Sequence, residues 1–114
     1  MEDRLLQQLK KGVLEMLVLE MVCERPTYGY ELLTRLKEKS GGLFSMKEGT
    51  LYPILYRLED DGMIEAAWSK QEGRTAPKKI YTATNARRTR RLRHQEMWRE
   101  FVSTVNGFYG DDAQ

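Results

Sequence analysis

One cysteine, one histidine and three prolines are all that the 114-residue chain holds of those types. Cys23 standing alone excludes an intrachain disulfide and a cysteine zinc cluster. His94 standing alone excludes paired-histidine metal sites and two-histidine hydrolase motifs. No apolar run reaches the roughly 18 residues that a membrane span needs. Glu2 and Asp3 stand where a signal peptide would be basic, so the expectation is a cytoplasmic protein with no membrane partner. No nucleophile–base set, phosphate-cradling glycine loop or metal-ligand spacing is present. Glu59, Asp60 and Asp61 are adjacent carboxylates that a helix turns to different faces, so they are no catalytic pair. The sequence predicts no enzyme, no cofactor and no metal.

Hydrophobic residues make up 40% of the chain and charged residues 32%, the proportions of a folded protein. The length suits one domain with a thin core, for which self-association is an added source of stability. The net charge of +2 hides a division. From Lys70 to His94 nine basic residues stand against one acid, Glu72, a net +8 that leaves −6 for the rest. A basic segment on an acidic body reads as a footprint for a polyanion; a solvated arginine-rich helix face is the competing reading.

Apolar residues recur at helical spacing from Leu5 to Cys23, a first helix that Pro26 ends. Thr27 is placed to cap a second helix, about Tyr28 to Lys39, closing at Ser40-Gly41-Gly42. Ser45 to Glu48 has capping-box spacing and opens a third helix, with Leu51, Ile54 or Leu55, and Leu58 on its stripe and Gly62 as its stop. Pro53 falls inside it and deletes a bond to the Gly49 carbonyl, giving either a kink or an irregular first turn. Met63–Ser69 and Lys78–Ala83 read as two strands around a polar turn containing Gly73. Thr84 then caps a last helix striped by Trp98, Phe101, Val102, Val105 and Phe108. Three helices, a basic-tipped hairpin and a final helix predict a mainly α fold: a winged helix-turn-helix plus a C-terminal dimerisation helix. Helix order alone equally suits a winged-helix module that binds a small molecule or a protein and no DNA; the basic wing favours double-stranded DNA.

Across Gly12 to Phe108 the sequence resembles the PadR family of bacterial transcriptional regulators. The resemblance rests on Tyr28-Gly29-Tyr30-Glu31, Glu48-Gly49-Thr50-Leu51-Tyr52-Pro53 and Arg57-Leu58-Glu59. It continues through Gly62-Met63-Ile64, Trp68 and Pro77-Lys78-Lys79-Ile80-Tyr81. Where the family has a Leu-Thr pair with a glycine three places on, this chain has Ala83-Thr84 and Arg87, which leaves the first turn of the last helix open. One terminal helix places it with the short branch of the family. The resemblance implies dimerisation through terminal helices, and in some relatives paired tryptophans line a central pore that accepts flat aromatic compounds. Trp98 occupies that position.

The expected division is a DNA-binding domain over residues 1–83, its first helix also in dimer contact, and a dimerisation helix with a short tail over 84–114. Lys47, Thr50, Tyr52, Pro53 and Arg57 are the candidates on the recognition helix, where lysine can donate to guanine and threonine or proline can meet a thymine methyl. Tyr28 and Gly29 open the second helix, whose free N–H groups suit a phosphate; a turn-and-cap role is the alternative. Arg74, Lys78 and Lys79 are the wing candidates for phosphate or minor-groove contact. The arginines from Arg87 to Arg93 are too closely spaced to face one way, so some must be solvated or paired with acids. The Trp98–Phe108 stripe is the candidate dimer interface, with Trp98 also the candidate site for a small aromatic or cationic effector or, alternatively, a dry packed residue. Cys23 reads as a small buried hydrophobe, with redox sensing as its other use. The function expected is a homodimeric, sequence-specific regulator, a repressor on a palindromic operator.

Overall fold

The computed structural model describes residues 4–110. It runs α1 (Arg4–Glu24), α2 (Gly29–Lys39), α3 (Glu48–Asp60), β1 (Ile64–Trp68), β2 (Lys79–Ala83) and α4 (Arg87–Tyr109). This is the expected winged helix with one terminal helix. Among the described residues no helix is long and apolar enough to cross a membrane.

The core follows from the helical periodicities. Leu14, Val18, Leu19, Met21 and Val22 of α1 meet Leu32 and Leu36 of α2, and Leu51, Ile54, Leu55 and Leu58 of α3. Intervals of three and four keep each set on one face of its helix. Ile64 and Tyr81 close the core from the hairpin. Both helix stops foreseen at glycine are Schellman turns. Gly41 (φ +61°) sends its N–H to Glu38 O while Gly42 N–H reaches Lys37 O at 2.8 Å. Gly62 (φ +77°) does the same with Glu59, and Met63 N–H reaches Leu58 O at 2.9 Å.

The three expected caps are corrected. Tyr28, Lys47 and Ala86 occupy the N-cap positions, none with a side-chain capping bond. Thr27 is instead buried and bridges to β2. Its N–H donates to Tyr81 O at 3.0 Å, it accepts from Tyr81 N–H at 2.7 Å, and its hydroxyl donates to Glu31. Thr84 turns back to the end of α3, its hydroxyl donating to the Gly62 and Met63 carbonyls and its N–H to Met63 O. The first turn of α4 is settled by Arg87, whose N–H and guanidinium both reach Thr84 O. Pro53 does not end α3, which stays helical from Glu48 to Asp60. Gly49, beneath the ring of Pro53 in the helix, has open space around it.

The antiparallel hairpin pairs Ile64 with Ala83 through Trp68 with Lys79. Pairing continues outward as Ser69 N–H donates to Lys78 O and Lys78 N–H to Ser69 Oγ, each at 2.7 Å. At the tip, Thr75 N–H returns to Glu72 O across Gly73 (φ +57°) and Arg74. A positive φ at the first turn position alone is the sign of a type II′ hairpin.

α4 is anchored at its start and bare at its end. Arg91 forks onto Glu20 of α1 with two 2.7 Å bonds, and Arg90 meets Asp61 at 3.2 Å. No residue of α4 is buried. The radius of gyration, 16.4 Å, exceeds the value of about 13 Å expected for a compact chain of this size, because α4 projects as an arm.

Gly29 is the tightest point between α2 and α3: a Cβ there would stand 2.5 Å from Tyr52 Oη and 3.1 Å from Cζ. Gly29→Ala should destabilise the fold by about 1–3 kcal/mol in urea unfolding, since the ring must be displaced. Tyr52→Phe in the same chain should recover part of the loss. A Gly29→Ala variant more stable than wild type would show that the ring yields freely.

Candidate nucleic-acid interface

The start of α2, the outer side of α3 and the base of the wing meet in a lattice of tyrosines and lysines. Lys78 Nζ lies 4.2 Å from the centre of the Tyr28 ring. Lys79 Nζ lies 5.6 Å from Tyr56 and 5.7 Å from Tyr81. The rings of Tyr52 and Tyr56 sit 6.1 Å apart, tilted by 36°. An ammonium within about 6 Å of a ring face gains about 0.5–1 kcal/mol where exposed and more where desolvated. These contacts tie the wing to both helices it stands beside.

The candidate residues do not all fall on one face. Leu51, Ile54, Leu55 and Leu58 are buried, so the side of α3 opposite them carries Gly49, Pro53, Tyr56 and Asp60. Pro53 is exposed there, and Lys47 stands exposed at the N-cap. Thr50 is exposed on a flank shared with Arg57, seven residues on, and Arg57 Nε donates to Glu15 of α1 at 3.1 Å. Tyr52 is half-buried and packs against the core and Gly29. Gly29 is buried, so its close approach to Tyr52 accounts for the missing side chain. Arg74 sits at the wing tip, exposed. Tyr56, half-exposed at the centre of the outward face, was not among the candidates, although it stands three residues after Pro53 and four after Tyr52. That spacing was the available signal.

Tyr81, Cys23 and His94, the first of them at this site, are shifted in acidity. Tyr81 is fully buried, and its hydroxyl has no hydrogen-bond partner among the described residues. Burial, with Tyr52, Tyr56 and Glu59 nearby, pushes its pKa up to about 12, so it stays a neutral phenol. Cys23 is half-buried, and burial with neighbouring Glu20 pushes its thiol pKa up. That disfavours the thiolate a redox sensor needs. Burial and Arg90 hold His94 below its ordinary pKa, against an opposing pull from Glu15. Among the described residues no cluster of His, Cys, Asp and Glu could hold a metal ion.

A second feature lies along α1 and α4. Leu6, Leu9, Val13, Phe44, Trp98, Phe101, Val102 and Val105 are among the residues lining an open apolar groove of about 680 Å³. Trp98 and Phe101 stack with centroids 6.2 Å apart. Phe101 is 53% exposed and Phe108 89%, so the stripe expected at a dimer interface has no cover within the described chain. Arg90 and Arg91 are paired with acids, while Arg88 and Arg93 are exposed without a partner among the described residues.

Residues 18–92 match the Transcriptional regulator PadR-like family. The chain is similar to the negative transcriptional regulator PadR of Bacillus subtilis (strain 168). The two are 32% identical over 74 residues, 65% of this chain and 40% of that protein. The chain spans about half or less of the length of the curated relatives it matches. It also resembles the crystal structure of a PadR family transcriptional regulator from Eggerthella lenta DSM 2243. The TM-score there is 0.81 at 28% identity, covering 94% of this chain and 90% of that one. The PadR-like transcriptional regulator of Bacillus cereus strain ATCC 14579 is similar with a TM-score of 0.73 and 32% identity, over 90% and 97% of the two chains. Matched over most of its length and sharing this fold, the chain belongs to the PadR-like family, which comprises transcriptional regulators rather than enzymes.

Proposed function

We propose that the chain is a homodimeric, sequence-specific DNA-binding regulator that acts in the cytoplasm as a repressor on a palindromic operator. The observation that carries this reading is the lattice of Tyr28, Tyr56, Lys78 and Lys79, which makes the start of α2, the outward face of α3 and the wing one continuous surface. α3 enters the major groove, with Lys47, Thr50, Pro53 and Arg57 as its contacts, and Arg57 must leave Glu15 to take part. Tyr28 and Tyr52 support it, and Gly29 brings the backbone of α2 close. Arg74 at the tip, with Lys78 and Lys79 at the base, carries the wing to phosphate or minor groove. The name of the Bacillus subtilis relative, a negative regulator, favours repression over activation.

The dimer rests on the uncovered groove. Trp98, Phe101, Val102, Val105 and Phe108 pack against a second copy, with residues 84–114 as the dimerisation element and α1 as the other wall. Twofold symmetry of that contact sets two recognition helices on a palindrome. The same groove supports a second use, binding of a small aromatic or cationic effector beside Trp98 that loosens the grip on DNA.

Sedimentation at low micromolar concentration should give twice the chain mass, and Phe101→Asp with Val105→Asp should give monomer or aggregate. A well-folded dimer of the double variant rules this interface out. Lys78→Ala should weaken binding to every duplex alike and lower the salt slope by about one. Thr50→Ala or Lys47→Ala should cost about 1–3 kcal/mol on a selected operator and little on random duplex. The roles are reversed if the wing variant alone changes sequence preference. A planar cationic dye should quench tryptophan fluorescence saturably, and Trp98→Ala should abolish the effect while Trp68→Ala retains it. Saturable quenching that survives Trp98→Ala excludes the effector site.

A further inference from the structure

Tyr56 stands at the middle of the outward face of α3, held on two sides. The ring of Tyr52 lies 6.1 Å from it, one helical turn back, and Lys79 Nζ lies 5.6 Å from its centre, across from the wing. Half the residue remains exposed, and its hydroxyl has no hydrogen-bond partner among the described residues. A phenol so placed can both donate and accept at a base edge, and its ring can meet a thymine methyl. Clamped on two sides, it presents that chemistry in a single orientation.

The two wing lysines differ. Lys78 is exposed and rests on one ring, Tyr28, at the start of α2. Lys79 is half-buried, pairs with Trp68 across the hairpin, and is shared between Tyr56 and Tyr81. It has no carboxylate partner among the described residues. A phosphate drawing on Lys79 must pull it from two ring faces, one of them the fully buried Tyr81. A phosphate drawing on Lys78 competes with one ring, the half-buried Tyr28.

We propose that Tyr56 is a specificity-determining residue of the recognition helix and that Lys79 is the positioning residue that fixes its ring. The inference rests on the DNA-binding reading and changes the role of Lys79 within it, from phosphate anchor to clamp. Lys78 and Arg74 remain the anchors of the wing.

The test is selection from a random duplex pool by the full chain and its Tyr56→Leu, Tyr56→Phe, Lys79→Gln, Lys79→Arg and Lys78→Gln variants. Binding to the wild-type-selected duplex and its single-base variants is then measured over a range of salt. Tyr56→Leu and Lys79→Gln should lose preference at the same base positions, the discrimination falling about tenfold. Lys79→Gln should leave the salt slope at its wild-type value, and Lys79→Arg, which keeps a cation on the ring, should restore preference. Lys78→Gln should keep the preference and lower the slope by about one. Tyr56→Phe, which keeps the ring and its packing, should retain any preference owed to the ring and lose only the part owed to the hydroxyl. The proposal falls if Tyr56→Leu enriches the wild-type sequences, or if Lys79→Gln behaves as Lys78→Gln does. A wild-type chain that enriches no sequence overturns the DNA-binding reading itself, and this inference with it.

Discussion

Two backbone hydrogen bonds between Thr27 and Tyr81 hold the working half of the molecule together. A two-stranded hairpin is marginal by itself in water. Here β2 pairs with β1 along one edge, and on its other edge Tyr81 forms a single antiparallel bridge with Thr27, so the loop before α2 braces the wing. Tyr81 lies fully buried at that junction, beneath α3. Its hydroxyl has no partner among the described residues, a cost of about 1–3 kcal/mol, offset by burial of a whole aromatic side chain. One residue therefore sets where the wing, the start of α2 and α3 stand relative to each other.

The helices, the hairpin and their order were legible because each rests on a local rule. The α3 stripe needs only intervals of three and four, and the stops at Gly41–Gly42 and Gly62 need only a residue that accepts positive φ. The caps were not legible, and the reason is common to them. Thr27 and Thr84 have the hydroxyl that a cap requires, but each found partners set by the tertiary fold. Thr27 pairs with Tyr81, and Thr84 binds the carbonyls at the end of α3. A capping pattern sees neighbours in sequence and cannot see those. The site shows the same divide. Lys47 and Pro53 stand exposed where helical spacing puts them, whereas the partner of Arg57, Glu15, is 42 residues away. Tyr56 was passed over because an aromatic inside a helix reads equally well as core or surface until the buried face is known.

The division of charge also changes meaning once folded. Glu15 and Glu20 of α1 answer Arg57 and Arg91 from the two helices that flank it. Each pair is partly exposed, so its contribution to stability is small, about 0–1 kcal/mol. Their geometric effect is larger. The forked Arg91–Glu20 contact and the Arg90–Asp61 pair fix the direction in which α4 leaves the body. Basic residues that looked like one footprint in sequence thus divide into those that orient α4 and those left at the surface, such as Arg88 and Arg93.

The middle of the outward face of α3, short of Asp60 at its end, is built from a glycine, a proline and a tyrosine gripped from both sides. Few of its bonds can rotate. Pro53 carries no flexible chain, Gly49 no side chain, and Tyr56 only two torsions. A surface of lysines and arginines bends to whatever it meets and loses rotamer freedom of about 2 kcal/mol per side chain in doing so. This face has little such freedom to lose and little ability to adjust. On the proposed DNA-binding reading, its selectivity is that of a stiff template: a matching contour is accepted at low entropic cost, and a mismatched one meets a collision it cannot relax away.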